Sequence, residues 1–461
     1  MGDMSVKKEA PRELDPEFIR SMKTDDGKRP DESKIARLLI DKAQIITHRG
    51  KVYDLDGEVN TDDLEWTIAN LLIEIGFKTN VARNTNSILD LAKILSVGDI
   101  PLARDEIPLQ NGTLVVGKGG EITFLPGEKH FSPYRLNCDY DPNAGDCPYF
   151  HQWMNDLFTP EDQKCFQEIM GYLLIPTTQG QKAFFLLGVG GEGKSIWGSI
   201  LHRMFGNGFS PTKVAELEEN RFTVATMENK IVVYDDDMDH NKMKKTDNFK
   251  TIVTAKIPVQ GERKNKDKFE FLPFARICAA GNFALSSLHD TSDGFFRRLL
   301  PIKVKNRPAE RKDVSDYEKL IFPEINAILL WALEGLQRLI KNDFKFSISD
   351  RSREMLSDIR EEGNSMIIFI EQEVVFDHKS KVTTDALNAA YLRFCEKNGL
   401  VARGGKYGFS QYLKDRAETY GISYTKRAIG DKRGFVGMKL KRSVDLDAIL
   451  GKGVLQIKVK P

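Results

Sequence analysis

Apolar residues recur at helical spacing over residues 32–45, 62–75 and 86–94, and then alternate on either side of a Gly-rich turn in Gly112-Thr-Leu-Val-Val-Gly117 and Gly119-Gly-Glu-Ile-Thr-Phe124. The first three stretches predict helices and the last pair a hairpin. A further helical stretch is predicted over 148–174. Three short apolar runs follow, Phe184-Phe-Leu-Leu187, Lys230-Ile-Val-Val-Tyr234 and Ala275-Arg-Ile-Cys-Ala-Ala280, which read as buried strands. Residues 318–340 form a long helical pattern with Ile325, Ile328, Leu329, Ala332, Leu336 and Leu339 on one face. The end of the chain reads as a helix at 365–375, a helix at 384–397 with Thr383 as N-cap, a Gly-rich turn, a helix at 409–420 and two strand-like runs around 430–434. That order suits a winged helix.

The expected fold class is α/β, with an N-terminal α+β domain and a C-terminal winged-helix domain flanking the central strands. Residues 1–30 read as a disordered arm, polar and interrupted by Pro11, Pro16 and Pro30. Residues 31–145 read as the α+β domain, a collar for oligomerisation or for DNA. Residues 146–345 read as the central domain with its preceding helical segment, and 346–461 as the winged helix. No repeat and no low-complexity tract interrupts this division.

Composition narrows the class. Aliphatic and aromatic residues make up 41% and charged residues 29%, and no apolar run approaches the roughly 18–20 residues that span a bilayer. The N-terminus lacks an apolar signal region, so no membrane partner and a location in the bacterial cytosol or nucleoid are expected. Cys138, Cys147, Cys165, Cys278 and Cys395 are scattered without a CxxC pair, which predicts reduced thiols, with Cys278 in a core strand. A formal net charge of +1 gives no whole-chain support for nucleic-acid binding, so any such claim rests on local patches.

The run Phe184–Leu187 leads into Gly188-Val-Gly-Gly-Glu-Gly-Lys-Ser195, a full G-x-x-x-x-G-K-S match followed by a helical pattern of Trp197, Ile200, Leu201 and Met204. Glycines at 188, 190, 191 and 193 let backbone N–H groups turn around phosphates; Glu192 lies within the loop. Lys194 brings a cation to the β/γ-phosphates, and Ser195 a hydroxyl to Mg²⁺. ATP and Mg²⁺ are the expected cofactors. The second strand ends in Asp235-Asp-Asp237, 41 residues after Lys194. Carboxylates at a strand's C-terminal end face the ligand crevice of an open α/β sheet. Asp235 is the choice for the Mg²⁺ side and Asp236 for orienting water, with the register among the three acids open by one. Gly281-Asn282 ends the third strand, where the amide of Asn282 can sense the γ-phosphate or position water. Arg297 and Arg298 follow, suited to phosphate contact from a neighbouring subunit.

Between Gly188 and Arg298 these pieces span 111 residues. In this order they resemble the superfamily 3 helicases, in the phage, plasmid and mobile-element branch related to the poxvirus primase-helicase. GVGGEGKS at 188–195, IVVYDDD at 231–237, the basic segment 256–268, Asn282 and DGFFRRLLPI at 293–302 carry the resemblance, and with Gln110-Asn-Gly-Thr-Leu-Val115 and the stretch 147–174 it covers residues 100–345. It implies an AAA+-like core in a homo-oligomeric, hexameric ring, with 3′ to 5′ movement and with Arg297 or Arg298 reaching the neighbour's γ-phosphate. Residues 256–268 hold five Lys or Arg against two acids. The resemblance implies a hairpin there that projects into the ring channel, with Arg263, Lys264, Lys266 and Lys268 on single-stranded DNA. The chain has too little sequence ahead of residue 100 for the primase domain many relatives carry, so a separate primase or host replication protein is an expected partner. Asp54-Leu-Asp56 reads as a surface turn.

Residues 401–440 hold nine Lys or Arg against three acids. Lys414, Arg416, Lys426, Arg427, Lys432 and Arg433 are the expected contacts of the winged helix with duplex or fork DNA; a winged helix that docks protein is the other reading. The leading function is an ATP-dependent replicative DNA helicase of a phage or mobile element. The alternative is a P-loop ATPase that remodels or packages DNA or protein without processive unwinding.

Overall fold

Five parallel strands form the centre of the chain, in the order Leu299–Lys303, Ala183–Leu187, Arg276–Gly281, Val232–Met238 and Phe209–Pro211. The structure is a computed structural model and describes residues 15–238, 243, 245–265, 267–282, 285, 287, 290, 292–307, 316–362, 365–400, 402 and 408–441. The class is mixed α/β. Every residue of Ala183–Leu187 and of Arg276–Gly281 is buried. Both faces of the sheet are covered, which is why these strands read as unbroken apolar runs. Leu187 pairs with Gly281 on one side and with Lys303 on the other, so these neighbouring strands end level at one edge.

On one face the helix Ser195–Phe205 buries Trp197, Ile200, Leu201 and Met204 in a core shared with Tyr234 and Cys278. That core runs on through the helices Pro148–Leu157, Pro160–Leu173 and Ile325–Lys341. The last two touch backbone to backbone: a methyl group on Gly171 would lie 2.3 Å from Leu336 N, and one on Gly335 would lie 2.1 Å from Gln167 O. On the other face Phe249, Ile252, Val259 and Phe295 pack beneath the same strands.

Several element boundaries differ from expectation for local reasons. The stretch 148–174 breaks at Thr159, whose side chain caps a new helix that starts on Pro160. Residues 318–340 form a short helix Glu318–Ile321, a 3₁₀ turn at Phe322–Glu324 around Pro323, and the helix Ile325–Lys341. By length and composition the whole of Glu318–Lys341 could cross a bilayer, contrary to the expectation that no segment could. Half of its most apolar window is buried inside the protein, as in a core helix. Of the expected disordered arm, residues 1–14 lie outside the described residues. The rest holds a helix, Pro16–Ser21, capped by Asp15, and Lys23 bridges to Pro30.

Residues 16–95 build their own core from Ile35, Leu64, Ile68, Leu72, Ile88 and Leu89. The predicted hairpin is present as Gly112–Val116 and Ile122–Pro126, with Glu106–Leu109 added ahead of it. Ile107, Leu109 and Leu114 enter the central core rather than that of residues 16–95. Asp54 and Asp56 form a turn in which Asp56 N–H donates to Asp54 Oδ1 at 2.7 Å. All five cysteines are buried and free.

The C-terminal unit has its own core around Phe369, Leu387, Tyr391, Phe409, Phe435 and Met438. The helix expected at 365–375 stops at Glu373, and the chain continues directly into a strand, Val374–Thr383, that the helical pattern had absorbed. Val374-Val-Phe376 opens that strand with two β-branched residues and an aromatic, as strands favour. Thr383 caps Thr384–Lys397 as expected, accepting from Ala386 N–H. The helix expected at 409–420 spans Gly408–Asp415, shorter at its end. The strands Val374–Thr383, Lys432–Leu440 and Ser423–Ile429 form one antiparallel sheet in that order.

Candidate functional site

The glycine loop leaves the end of Ala183–Leu187 and enters Ser195–Phe205. Gly190, Gly191 and Gly193 have φ of 119°, 78° and 99°, values that side chains rarely tolerate. The loop is tied on both sides. Gly188 N–H donates to Gly281 O at 3.2 Å, and Trp153 Nε1–H donates to Gly193 O at 2.9 Å. Within it, Lys194 Nζ donates to Glu192 Oε2 at 2.7 Å, and Gly190 N–H donates to the same carboxylate at 2.9 and 3.0 Å. Burial pushes the Glu192 carboxyl up, but the bonds from Lys194 and the loop amides outweigh it and hold the group below its usual range. A backbone N–H and an ammonium thus already converge on one anionic group.

The three acids fall into different places. Asp235 is buried, accepting from Lys213 Nζ at 3.0 Å through Oδ1 and from Val214 N–H at 2.8 Å through Oδ2. Asp236 and Asp237 are exposed. Tyr234 O–H donates to Asp236 Oδ1 at 3.2 Å, and Lys213 Nζ also donates to the carbonyl of Asp237 at 2.9 Å. A cleft of about 610 Å³ brings Asp235 and Asp236 together with Ser195, His202, Phe209 and Lys213.

Asn282 follows the end of Arg276–Gly281 and is exposed. A methyl group on Gly190 would lie 4.0 Å from Asn282 Oδ1, so the amide stands beside the loop. Arg307, beyond the strand Leu299–Lys303, approaches from the other side: a methyl group on Gly191 would lie 3.8 Å from its Nη1. The two arginines of the pair are not equivalent. Arg297 is exposed, whereas Arg298 is buried and donates back to Gly294 O, with its Nε–H unpartnered. Burial and the neighbouring Arg297 lower the pKa of Arg298 from its ordinary value.

The basic segment forms the antiparallel hairpin Val259–Gly261 and Phe269–Phe271. Lys264 and Lys268 are exposed in its loop, and Lys266 lies outside the described residues. Arg263 is engaged at the base, ion-paired with buried Glu228 and placed over the Phe269 ring at 4.5 Å. Arg49 reaches the same glutamate at 3.4 Å. In the C-terminal unit Arg416, Lys426, Arg427, Lys432 and Arg433 are exposed, and Lys414 lies over Tyr424 at 4.1 Å. Arg416 stands over Tyr412 at 4.3 Å, and Arg427 pairs with Asp431 at 3.6 Å.

The structure therefore gathers Gly190, Glu192, Lys194 and Asn282 at the loop, and Ser195, Asp235 and Asp236 around the adjoining cleft. The basic residues lie on separate elements. Sequence reading missed Lys213, which holds Asp235, and Arg307, which follows the last strand without a motif of its own. It also missed Trp153, which a long helical pattern made look like ordinary core.

A family model described as a family of unknown function, DUF5906, matches residues 186–298, the interval from the glycine loop to the paired arginines. Among curated proteins, none matches the chain. Among solved structures, an A-form apo structure of the NrS-1 C-terminal region is 12% identical, with a TM-score of 0.48, covering 89% of this chain and 100% of that one. A second A-form apo structure of that region is 13% identical with a TM-score of 0.45 and the same coverage.

Proposed function

We propose that this chain is an ATP-dependent DNA helicase whose ATP site is the crevice where the central strands end. The gathering of Lys194, a loop amide and Asn282 at the glycine loop, next to the cleft lined by Ser195 and Asp236, carries the reading. The glycine loop is read as a P-loop whose amides and Lys194 bind the β- and γ-phosphates, taking the place of the Glu192 carboxylate. Ser195 and Asp236 are read as the residues that would hold Mg²⁺, since both line the cleft and Asp236 is exposed, whereas Asp235 is buried and held by Lys213 and Val214. Bound there, the ion would neutralise charge on the phosphates. Asn282, beside the loop, is then left to orient the attacking water. Arg297, solvent-facing, is the side chain suited to reach a neighbouring subunit's γ-phosphate, which requires a homo-oligomer, read here as a hexameric AAA+ ring.

The exposed Lys264 and Lys268 on the hairpin are read as binding single-stranded DNA by its phosphates, without sequence readout. The C-terminal unit is read as a winged helix in which Lys426, Arg427, Lys432 and Arg433, around the turn between two strands, contact duplex or fork DNA. Arg263 takes no direct part, since it is ion-paired with buried Glu228 and stands over Phe269. Replication of a phage or mobile element in the bacterial cytosol, with priming supplied by another protein, is the setting this reading implies. Measuring ATP hydrolysis with and without single-stranded DNA tests it: DNA should stimulate hydrolysis, and Lys194→Ala should abolish it.

A further inference from the structure

We propose that Cys147 and His151, oriented by Asp146, bind a soft divalent metal ion, zinc by ligand chemistry, where the helix Pro148–Leu157 begins. Cys147 Sγ lies 3.6 Å from His151 Nε2. Tetrahedral zinc, with bonds of about 2.3 Å to sulfur and about 2.0–2.1 Å to nitrogen, places two such donors roughly 3.5 Å apart. The carboxylate sits on the opposite edge of the ring. Asp146 Oδ1 is 3.2 Å from His151 Nδ1 and also accepts from Cys147 N–H at 2.8 Å. A carboxylate at Nδ1 fixes the proton there and leaves the Nε2 lone pair facing the sulfur, the arrangement that metal-binding histidines adopt. The three donor atoms all lie within 4.8 Å of one another.

The thiol is not explained by helix capping. Cys147 occupies the N-cap position, yet its side chain makes no cap hydrogen bond. Glu324 does that work instead, accepting from Tyr149 N–H at 3.1 Å and Phe150 N–H at 2.9 Å. Cys147 is buried, while the side chains of His151 and Asp146 are 40% and 76% exposed, so an ion enters from the imidazole side. Sulfur and imidazole together favour zinc over magnesium or calcium. On binding, the thiol releases its proton to solvent and the sulfur donates an electron pair to the metal, with no change in oxidation state. Water completes the coordination. The site involves none of the groups assigned to ATP and stands or falls apart from that reading.

Titrating the reduced full-length chain with Co²⁺ tests this. The expected result is one thiolate-to-cobalt charge-transfer band per chain, lost on addition of Zn²⁺ and absent from Cys147→Ser and His151→Gln. Asp146→Asn should weaken binding by about 10–100-fold. Thermal melting identifies which variants fold. Should Cys147→Ser not fold, His151→Gln decides the matter, because that side chain reaches solvent. No band from the wild-type chain, or an undiminished band from folded His151→Gln, would overturn the proposal.

Discussion

Lys213 Nζ lies 3.0 Å from Asp235 Oδ1, and the other oxygen of that carboxylate accepts from Val214 N–H. The acid nearest the strand interior is thus a fastening between the acidic strand and the segment after Phe209–Pro211. Asp235→Ala should therefore lower the melting temperature, since it leaves a buried amide unpaired at a cost of about 1–3 kcal/mol. Asp236→Ala should leave the melting temperature near wild type and reduce ATP turnover by about 10²-fold or more, the loss expected for a group that acts on the transferring phosphate. Melting curves and steady-state hydrolysis on both variants check the division. A stable, inactive Asp235→Ala with a fully active Asp236→Ala would reverse the two roles.

Arg297 and Arg298 should separate in the same way. Arg298 is buried against Gly294 and should cost stability when replaced by alanine. Arg297→Ala should fold normally and lose hydrolysis, by about 10³-fold if it acts as a finger in trans. Mixing it with wild type should depress activity below the weighted mean, because each defective subunit disables its neighbour's site. Strict additivity would argue against a shared site.

Three of the five central strands, the glycine loop and the hairpin around residues 117–119 were legible in the sequence because each is dictated locally, whereas Phe209–Pro211 and Leu299–Lys303 were not read as strands. Unbroken apolar runs demand a covered sheet, and glycines at 190, 191 and 193 permit the positive φ that the loop adopts. What the sequence could not tell was which member of a repeated set faces outward. Asp235, Asp236 and Asp237 are chemically alike, as are Arg297 and Arg298, and they are sorted only by Lys213 and Val214, 22 and 21 positions before Asp235, and by the turn that folds Arg298 back onto Gly294 O. The strand Val374–Thr383 was missed because its β-branched start follows a helix without a Gly or Pro between them. Arg307 approaches the loop through tertiary placement alone.

On the hairpin, Lys264→Ala with Lys268→Ala should retain basal ATP hydrolysis while losing DNA stimulation. The salt dependence of single-strand binding should flatten by roughly 0.7 in the log–log slope for each phosphate that is no longer neutralised. Arg263→Ala should act differently. Removing it leaves buried Glu228 with Arg49 as its remaining arginine partner, so the hairpin base should loosen and the melting temperature fall.

Acid should weaken the tie between the helix Asp247–Thr254 and the segment leading to the paired arginines. Asp290 accepts from Lys250 Nζ at 2.8 Å, from Thr246 and from Ser292 N–H at 3.0 Å. Partial burial pushes its carboxyl up, but those bonds outweigh it and hold the group well below the usual carboxylate range. A depressed carboxylate stabilises the fold above its unfolded pKa of about 4, and that contribution disappears as the pH falls toward the folded value. Asp290→Asn should accordingly melt below wild type at pH 7, with the gap narrowing as the pH drops below about 4. A gap independent of pH would exclude the ionised tie.

Strand displacement from a forked duplex by the purified chain, with ATP and Mg²⁺, is the most direct measure of the central claim. Wild type should separate the strands and Lys194→Ala should not, although both fold and both bind DNA. No ATP-dependent displacement by wild type, or equal displacement by Lys194→Ala, would contradict a motor driven from the glycine loop.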